Sequence, residues 1–253
     1  MRRIFIHFFQ AELEDAINIA RKYNAGVELP LSTERLLKLD ESRLERLKEI
    51  AKNIQLSIHG PFRDLYPGAI DPDVREVALG RYIEAIGIAK KLGAEWTVFH
   101  LNYVPLIYGG KRLRARWLNN TIKTFSEIAI LGERIHLENT YEDSPLIFRE
   151  VLEVLSDKNF HMCLDIGHAN AFSGEQLELW VEELSSFIAE VHLHESYKGR
   201  DLHLPLGSGQ IDINRFLVLL EEKGVKNYII TLEPASLDDL ERNLEWLKTN
   251  GWL

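Results

Sequence analysis

The chain has 253 residues, enough for two small domains or for one α/β barrel, since such barrels commonly run to about 250 residues. Hydrophobic residues make up 45% of it and charged residues 27%, a balance that excludes an intrinsically disordered chain and allows a sizeable core. The net charge of -9 argues against a surface that is basic throughout, the kind that neutralises phosphates in most nucleic-acid-binding proteins, although a local basic groove is not excluded.

Eight short runs rich in β-branched and aromatic residues are each followed by a stretch with apolar residues at helical spacing. The first helical pattern includes Glu12–Ala20, the second starts at a capping signal at Ser32, and the last starts near Ser236. The predicted strands are, in chain order, Ile4–Phe8, Gly26–Leu31, Gln55–His59, Trp96–His100, Arg134–Asn139, His161–Asp165, Glu190–His194 and Tyr228–Glu233.

This alternation predicts a parallel sheet with helices outside it. Eight units predict a closed (β/α)8 barrel, a TIM barrel, formed as one domain by residues 1–253. An open doubly wound sheet is the alternative, but it usually has a Gly-rich phosphate loop after its first strand. Phe8-Phe9-Gln10-Ala11 stands at that place instead.

Cys163 is the single cysteine, so no intramolecular disulfide can form. A chain without such a bond fits a reducing compartment, and we expect a cytoplasmic protein. The apolar run near the N-terminus is interrupted by His7 and stops at Gln10, which favours a strand over a signal peptide. No stretch approaches the roughly 18 apolar residues of a membrane helix, so we expect no membrane partner.

Polar residues cluster where the predicted strands end, namely His59, His100, Glu138, Asp165 with His168, His192 with His194, Asp201 with His203 in the following loop, and Glu233. A lone residue of this kind is usually structural, but barrel enzymes place their active sites at this face. Crowded carboxylates would repel one another unless cations neutralise them. Mixed imidazole and carboxylate ligands favour Zn²⁺, Mn²⁺ or Fe²⁺ over Ca²⁺. The pattern therefore predicts a site for divalent metal.

Six motifs extend this reading: His-Gly-Pro-Phe at 59–62, Leu-Glu-Asn-Thr at 137–140, Leu-Asp-Ile-Gly-His at 164–168, His-Leu-His-Glu-Ser at 192–196, Asp-Leu-His-Leu-Pro-Leu-Gly-Ser-Gly at 201–209 and Leu-Glu-Pro at 232–234. Together they give the chain a resemblance to the xylose-isomerase-like barrel superfamily. That superfamily contains both DNA-repair enzymes of the endonuclease IV type and many sugar isomerases and epimerases. The resemblance covers nearly the whole chain from about the third strand onward.

In the sugar-epimerase branch, the resemblance implies one metal ion held by Glu138, Asp165, His192 and Glu233. The two glutamates would then shuttle a proton at the carbon next to the carbonyl. The metal would polarise the substrate oxygens and stabilise an enediolate, and His168 would touch the substrate.

In the endonuclease IV branch, the resemblance implies three zinc ions. His59, His100 and a bridging Glu138 would hold the first. Asp165, His192 and Glu233 would join Glu138 on the second, and His168, Asp201 and His203 would hold the third. Such a cluster would activate a hydroxide for phosphoester hydrolysis. The count of ions, from one to three, and their identity, Zn²⁺ or Mn²⁺, stay open.

Loop lengths favour the first branch, because the repair enzymes read DNA with long loops and the predicted loops after Phe8 and Leu31 are short. The basic stretch Lys111–Arg116 could grip phosphates, but it also fits the exposed start of an outer helix. We therefore expect a small sugar or sugar phosphate as substrate, with isomerisation or epimerisation as the reaction. Phosphodiester hydrolysis is the alternative, and a metal-binding barrel without catalysis is a third. The sequence does not specify an oligomeric state.

Other polar residues near the same face are candidates for substrate binding. His7 and Glu28 end the first two strands, although either could be a satisfied residue of the barrel interior. His194 is a further substrate candidate, and Glu195 and Lys198 are candidates for orienting His192 or binding an anion. We expect two histidines that fall earlier in their strands, His136 and His161, to be structural.

Overall fold

The computed structural model describes residues 2–253. Eight parallel strands close a barrel: β1 Ile4–Ile6, β2 Gly26–Pro30, β3 Leu56–His59, β4 Thr97–His100, β5 Ile135–Glu138, β6 Phe160–Asp165, β7 Ile188–Leu193 and β10 Ile229–Leu232. β8 Glu195–Tyr197 and β9 Arg200–Leu204 form a separate antiparallel hairpin between β7 and β10. The predicted (β/α)8 TIM barrel is thereby confirmed, and the hairpin is an addition that the sequence pattern did not predict.

Helices connect the strands: α1 Leu13–Lys22, α2 Thr33–Leu37, α3 Glu41–Ile50, α4 Pro72–Leu92, α5 Pro105–Tyr108, α6 Lys111–Ala129, α7 Leu146–Leu155, α8 Ile166–Phe172, α9 Leu177–Leu184, α10 Ile213–Glu222 and α11 Leu237–Thr249. Ser32 and Ser236 cap α2 and α11 through their side chains, as their sequence signals predict. In residues 2–253, none of these helices combines the length and the apolar character needed to cross a bilayer.

The lower end of the barrel, where the strands begin, is filled by apolar side chains. Phe5 of β1 packs on Trp96, which directly precedes β4, with ring centroids 4.8 Å apart. Because β1 and β4 are not neighbours in the sheet, this contact crosses the barrel interior. Cys163 and Ile229 belong to the same buried cluster, which closes this end.

A polar layer lies above this apolar cluster. Ser57 donates a hydrogen bond of 3.1 Å to Glu28, and both side chains are fully buried. Glu190 accepts hydrogen bonds of 2.6 Å from Thr231 and from Nδ1 of His136. The expectation that His136 is structural agrees with this contact. Buried charges of this kind are costly unless they are paired. The hydrogen bonds from Ser57, Thr231 and His136 therefore stabilise the two buried carboxylates of this layer.

The chain enters α8 directly from β6, without a loop. The Asp165 carboxylate accepts a hydrogen bond from the backbone N–H of His168 and so caps the helix. His168 therefore lies on the first turn of a helix instead of in a loop. One acidic residue thus ends a strand, starts a helix and places two polar side chains at the mouth of the barrel.

Candidate metal centre and active site

The first group of polar side chains at the barrel mouth is built from the ends of β3, β4 and β5. Nε2 of His59 and Nε2 of His100 lie 3.0 and 3.1 Å from the same oxygen of Glu138, and 3.2 Å from each other. Nδ1 of His59 donates to the carbonyl of Gly60, which leaves the lone pair of Nε2 facing the site. A single proton cannot bond to Nε2 of His59, Nε2 of His100 and the Glu138 oxygen at the same time. A metal cation placed among the three atoms could bind all of them.

The second group surrounds Nδ1 of His192 on β7. This nitrogen lies 3.2 Å from Glu233, 3.6 Å from Glu138 and 3.9 Å from Asp165. None of these four side chains is more than 5% exposed. Within residues 2–253, Nδ1 of His192 and Oε2 of Glu233 have no hydrogen-bond partner although they are buried. Three buried carboxylates that lie around one nitrogen atom repel one another, so this arrangement requires positive charge among them.

The third group lies further out and depends on the hairpin. One oxygen of Asp201 lies 3.3 Å from Nε2 of His168 and 3.3 Å from Nε2 of His203. Nδ1 of His168 donates to the carbonyl of Asn139 at 2.9 Å, so its Nε2 lone pair faces Asp201. His203 adopts a φ of 48°, an uncommon conformation for a residue other than glycine, which turns its ring toward this group.

Glu138 joins these groups into one centre. Its Oε2 belongs to the first group, while its Oε1 lies 3.6 Å from His192 and 3.4 Å from Nδ1 of His168. The structure thus brings together all nine residues that the sequence analysis selected as metal ligands: His59, His100, Glu138, Asp165, His168, His192, Asp201, His203 and Glu233.

Proton affinities in this centre show how strongly it attracts cations. Burial raises the pKa of Glu138, but His100 and His192 outweigh that effect and hold it well below its usual range. Burial lowers the pKa of His59, but its hydrogen bond to Glu138 and the negative charges of Glu138 and Glu28 together outweigh this and raise the pKa to about 9. In the same way, Asp201 outweighs the burial of His203 and raises its pKa to about 9. Without metal, protons on the imidazoles neutralise the carboxylates, so protons and metal ions compete.

The donor set fits divalent metal in its chemistry as well as its geometry. Imidazole nitrogens and carboxylate oxygens converge in small groups, and they suit Zn²⁺ or Mn²⁺. Buried atoms of His192, Asp201 and Glu233 that lack a partner in the described part of the chain point to the same conclusion, because buried polar atoms otherwise find partners.

A cavity of about 660 Å³ opens above these groups. Its walls carry five aromatic side chains, Phe9, Phe62, Tyr66, Tyr141 and Phe172. Phe62 stacks on the ring of His100 with centroids 4.2 Å apart, so it packs against a candidate ligand. Of the lysines and arginines in residues 2–253, Arg63 alone lines the cavity. The cavity thus combines a polar floor with mostly uncharged walls.

Of the five predicted substrate-binding residues, only some line the cavity in the described part of the chain. His7 lines the cavity, as expected. Glu28 and His194 do not, because they are fully buried below its floor. The carboxylate of Glu195 accepts backbone hydrogen bonds from Gly207 and Ile211.

Lys198 likewise lies away from the cavity and donates to the carbonyl of Ser173. The predicted roles of Glu195 and Lys198 in orienting His192 or binding an anion are therefore not supported by their contacts. Both side chains instead form hydrogen bonds with the backbone of neighbouring loops. The basic stretch at residues 111–116 starts α6, and its Arg114 forms a bidentate ion pair with Glu150 outside the cavity.

Asn139 is a supporting residue that the sequence analysis did not select. Its side chain donates to the backbone carbonyl of Asp165 at 2.8 Å and accepts from the backbone N–H of Asp165 at 2.9 Å. Its own carbonyl orients His168. Its position directly after Glu138 in the Leu-Glu-Asn-Thr motif was the available signal. Hydrogen-bonding partners of this kind hold the side chains of metal ligands in a fixed orientation.

Glu142, in the loop after β5, is a buried carboxylate outside the metal centre. It accepts hydrogen bonds from the backbone N–H groups of Tyr103 and Thr140. Burial raises its pKa from 4.5 to about 7. Because the folded protein binds this proton more tightly than the unfolded chain, the stability it contributes is complete below about pH 4.5 and is lost as pH rises through about 7.

We therefore expect the free energy of unfolding of the wild type, relative to Glu142→Gln, to fall by about 3 kcal/mol or somewhat less between pH 5 and pH 8. Urea unfolding of both proteins at the two pH values measures this difference. The histidines titrate in both proteins, so the comparison isolates Glu142. A difference that stays constant with pH would contradict the assignment.

Comparison with known proteins agrees with the observed fold. The family model for xylose isomerase-like TIM barrels matches residues 17–250. The protein MJ1311 of Methanocaldococcus jannaschii is 30% identical over 208 residues, which cover 77% of this chain and 69% of that protein.

Two solved structures represent the two branches. A D-tagatose 3-epimerase-like protein is 26% identical, with a TM-score of 0.83 over 98% of this chain and 96% of that one. Endonuclease IV from Thermus thermophilus is 20% identical, with a TM-score of 0.71 over 98% of both chains, a likeness that shows the fold alone. The chain belongs to the xylose isomerase-like TIM barrel family.

Proposed function

We propose that this protein is a metal-dependent enzyme that isomerises or epimerises a small polyhydroxylated substrate, a sugar or a sugar phosphate. The observation that carries the proposal is that Glu138 and Glu233 flank Nδ1 of His192 on the floor of a confined cavity of about 660 Å³. The similarity to the D-tagatose 3-epimerase-like protein supports the same reaction class.

Glu138, Asp165, His192 and Glu233 would hold the ion at the reacting carbons. A divalent ion held there would polarise a carbonyl and the neighbouring hydroxyl, and so acidify the C–H bond of the carbon that carries this hydroxyl. Glu233 has a buried oxygen with no hydrogen-bond partner among the described residues, and it is the better placed of the two glutamates to take that proton. Burial raises the pKa of Glu233, but His192 outweighs this and keeps the carboxylate ionised.

Glu138 would deliver a proton to the substrate from the other side, after taking that proton from water or from a substrate hydroxyl in the cavity. Its contacts with His59 and His100, at 3.0 and 3.1 Å, are shorter than the 3.2 Å contact between Glu233 and His192, so Glu138 is the more tightly held of the two carboxylates. His168 reaches the cavity and would contact a substrate hydroxyl. These roles require no side chain from outside the nine residues.

The cavity walls fit a sugar better than a nucleic-acid duplex. Aromatic rings pack well against the C–H faces of sugars, and the single Arg63 suits at most one phosphate group. Only residues 7–12 separate β1 from α1, and only residues 31–32 separate β2 from α2. Loops this short cannot themselves penetrate or bend a duplex.

Phosphodiester hydrolysis is the second candidate, and the third group favours it. His168, Asp201 and His203 converge on one point. In the isomerase proposal, which needs one ion, Asp201 and His203 have no role. Three cations, if the three groups of side chains held one each, could bind a phosphate and a hydroxide together.

Two assays separate the candidates. In heavy water, the zinc- or manganese-loaded protein is expected to exchange deuterium into the carbon next to the carbonyl of at least one member of a ketose and ketose phosphate panel. Asp201→Ala is expected to keep part of that exchange, whereas Glu233→Gln should lose it. No exchange with any member, together with nicking of a duplex containing an abasic site that Asp201→Ala abolishes, would replace the proposal with hydrolysis.

A further inference from the structure

Glu28 is a fully buried carboxylate directly beneath the metal centre, and the proposed chemistry does not use it. Its Oε2 accepts a hydrogen bond from Ser57 at 3.1 Å. Its Oε1 lies 3.3 Å from Nε2 of His192 and 3.5 Å from Nδ1 of His7. Glu28 on β2 thus contacts side chains that come from β3, from β7 and from the segment that follows β1.

The three facing atoms have no other partner within residues 2–253. Oε1 of Glu28, Nε2 of His192 and Nδ1 of His7 are all buried, and none of them makes a hydrogen bond of good geometry in that part of the chain, although the two nitrogens lie 3.3 and 3.5 Å from Oε1. A buried carboxylate oxygen without a donor is costly, and so is a buried imidazole N–H without an acceptor. Protons on both nitrogens, with a small rotation of each ring toward Oε1, would satisfy all three atoms at once.

This arrangement selects one tautomer for each ring. With its proton on Nε2, His192 presents a lone pair at Nδ1, which is the atom that faces Glu233, Glu138 and Asp165. With its proton on Nδ1, His7 presents a lone pair at Nε2, which lies 4.0 Å from Glu233. His7 also lies beside His59, with ring centroids 4.7 Å apart.

Glu190 is the other carboxylate near Nε2 of His192, at 3.9 Å. Both of its oxygens are already hydrogen-bonded, one to His136 and the other to Thr231. It therefore competes poorly for the His192 proton. Among the residues that the structure describes, Glu28 is the carboxylate whose nearest oxygen is both closer to that nitrogen and unpartnered.

We propose that Glu28 is a positioning residue that sets the tautomers of His192 and His7 together, so that both histidines aim an unprotonated nitrogen at the metal centre. His7 thereby becomes a further nitrogen donor on the cavity floor, available to a metal ion or to a substrate hydroxyl. His7, His59 and Glu233 offer atoms that all lie within 4.8 Å of one another. The inference rests on the proposed metal centre but not on the reaction.

The test compares zinc affinity and imidazole NMR signals in four proteins: the wild type, Glu28→Met, Glu28→Gln and Glu142→Gln. Methionine keeps the volume but removes the acceptor, and loss of a buried ionisable group does not of itself unfold a core. Glutamine keeps one acceptor oxygen. Glu142→Gln is the matched control, because it removes an equally buried carboxylate whose hydrogen bonds go to backbone N–H groups instead of histidines.

Competition with a chromogenic chelator is expected to show zinc affinity about 10- to 100-fold lower in Glu28→Met, with Glu28→Gln between it and the wild type. In the zinc-loaded proteins, long-range ¹⁵N–¹H spectra should show His192 protonated on Nε2 and His7 on Nδ1 in the wild type and in Glu28→Gln. In Glu28→Met, both rings should show mixed tautomers. The control should match the wild type in both measurements.

Unchanged affinity and unchanged tautomers in a folded Glu28→Met protein would overturn the inference and leave the metal centre intact. If Glu28→Met does not fold, the zinc affinity of Glu28→Gln decides, since a wild-type affinity in that variant would also overturn the inference. A wild-type protein that binds no zinc at all would instead overturn the metal centre and with it the proposed function.

Discussion

Replacing Glu138 by glutamine is expected to lower turnover by about 10³-fold or more and to reduce the metal bound per chain. Glu138 is the one side chain that takes part in both inner groups, and each of its oxygens faces two histidines. Glutamine has the same shape but carries no charge, and its amide N–H₂ would point at lone pairs. In the variant, no negative charge remains at this position to balance protonated histidines, and no carboxylate remains to bind a metal ion together with them.

Turnover on the substrate that shows deuterium exchange, together with elemental analysis of the dialysed protein, measures this effect. Glu142→Gln again serves as the control, because Glu142 follows the same strand and is equally buried. The control is expected to keep its metal and most of its turnover. If Glu138→Gln keeps its full metal content and a turnover within about tenfold of the wild type, Glu138 is not the centre's shared ligand.

Gly167→Ala is expected to destabilise the protein by about 3 kcal/mol and to displace Asp165. A Cβ atom at Gly167 would lie 1.9 Å from Cε1 of His194, with both ring nitrogens 2.4 Å away. His194 has little room to withdraw, because its Nε2 lies 3.1 Å from both oxygens of Asp165 and its ring stacks on His203 at 4.1 Å. This contact explains the glycine in the Leu-Asp-Ile-Gly-His motif.

Gly87→Ala provides the matched comparison for Gly167→Ala. Gly87 also lies in a helix, α4, but a Cβ there would meet nothing within 4 Å. Because alanine favours helices over glycine, we expect Gly87→Ala to stabilise the protein by about 0.5 to 1 kcal/mol. Urea unfolding of both variants, with and without zinc, separates the two effects. If Gly167→Ala unfolds at the same urea concentration as the wild type, the position of the His194 ring is wrong.

The strands were predictable because each is a short apolar run bounded by polar residues, and the closed barrel follows from counting them. The structure ends β1 at Ile6, two residues before the predicted Phe8. The hairpin β8–β9 could not be predicted from periodicity. Arg200–Leu204 is mostly polar and half-exposed, so it lacks the apolar signal of a barrel strand.

The ligand set could also be selected from the sequence, because its members end strands and lie within recognisable motifs. The depth of each side chain could not, since depth depends on the register between strands. Glu28 pairs with Ser57, two residues before His59, and therefore lies one layer below the cavity floor. Its sequence position suggested a substrate contact, whereas its register makes it a support for histidines.

The centre has a rigid inner part and an accessible outer part. Glu138 and His192 are 1% and 0% exposed and belong to the barrel wall, whereas Asp201 and His203 are 23% and 25% exposed and belong to the hairpin. An outermost ion could therefore depart when the hairpin lifts, without any of the eight barrel strands moving, and the inner ligands would keep theirs. Occupancy of the outer position would follow the supply of free metal around the protein, which makes the ion count a property of the surroundings as well as of the chain.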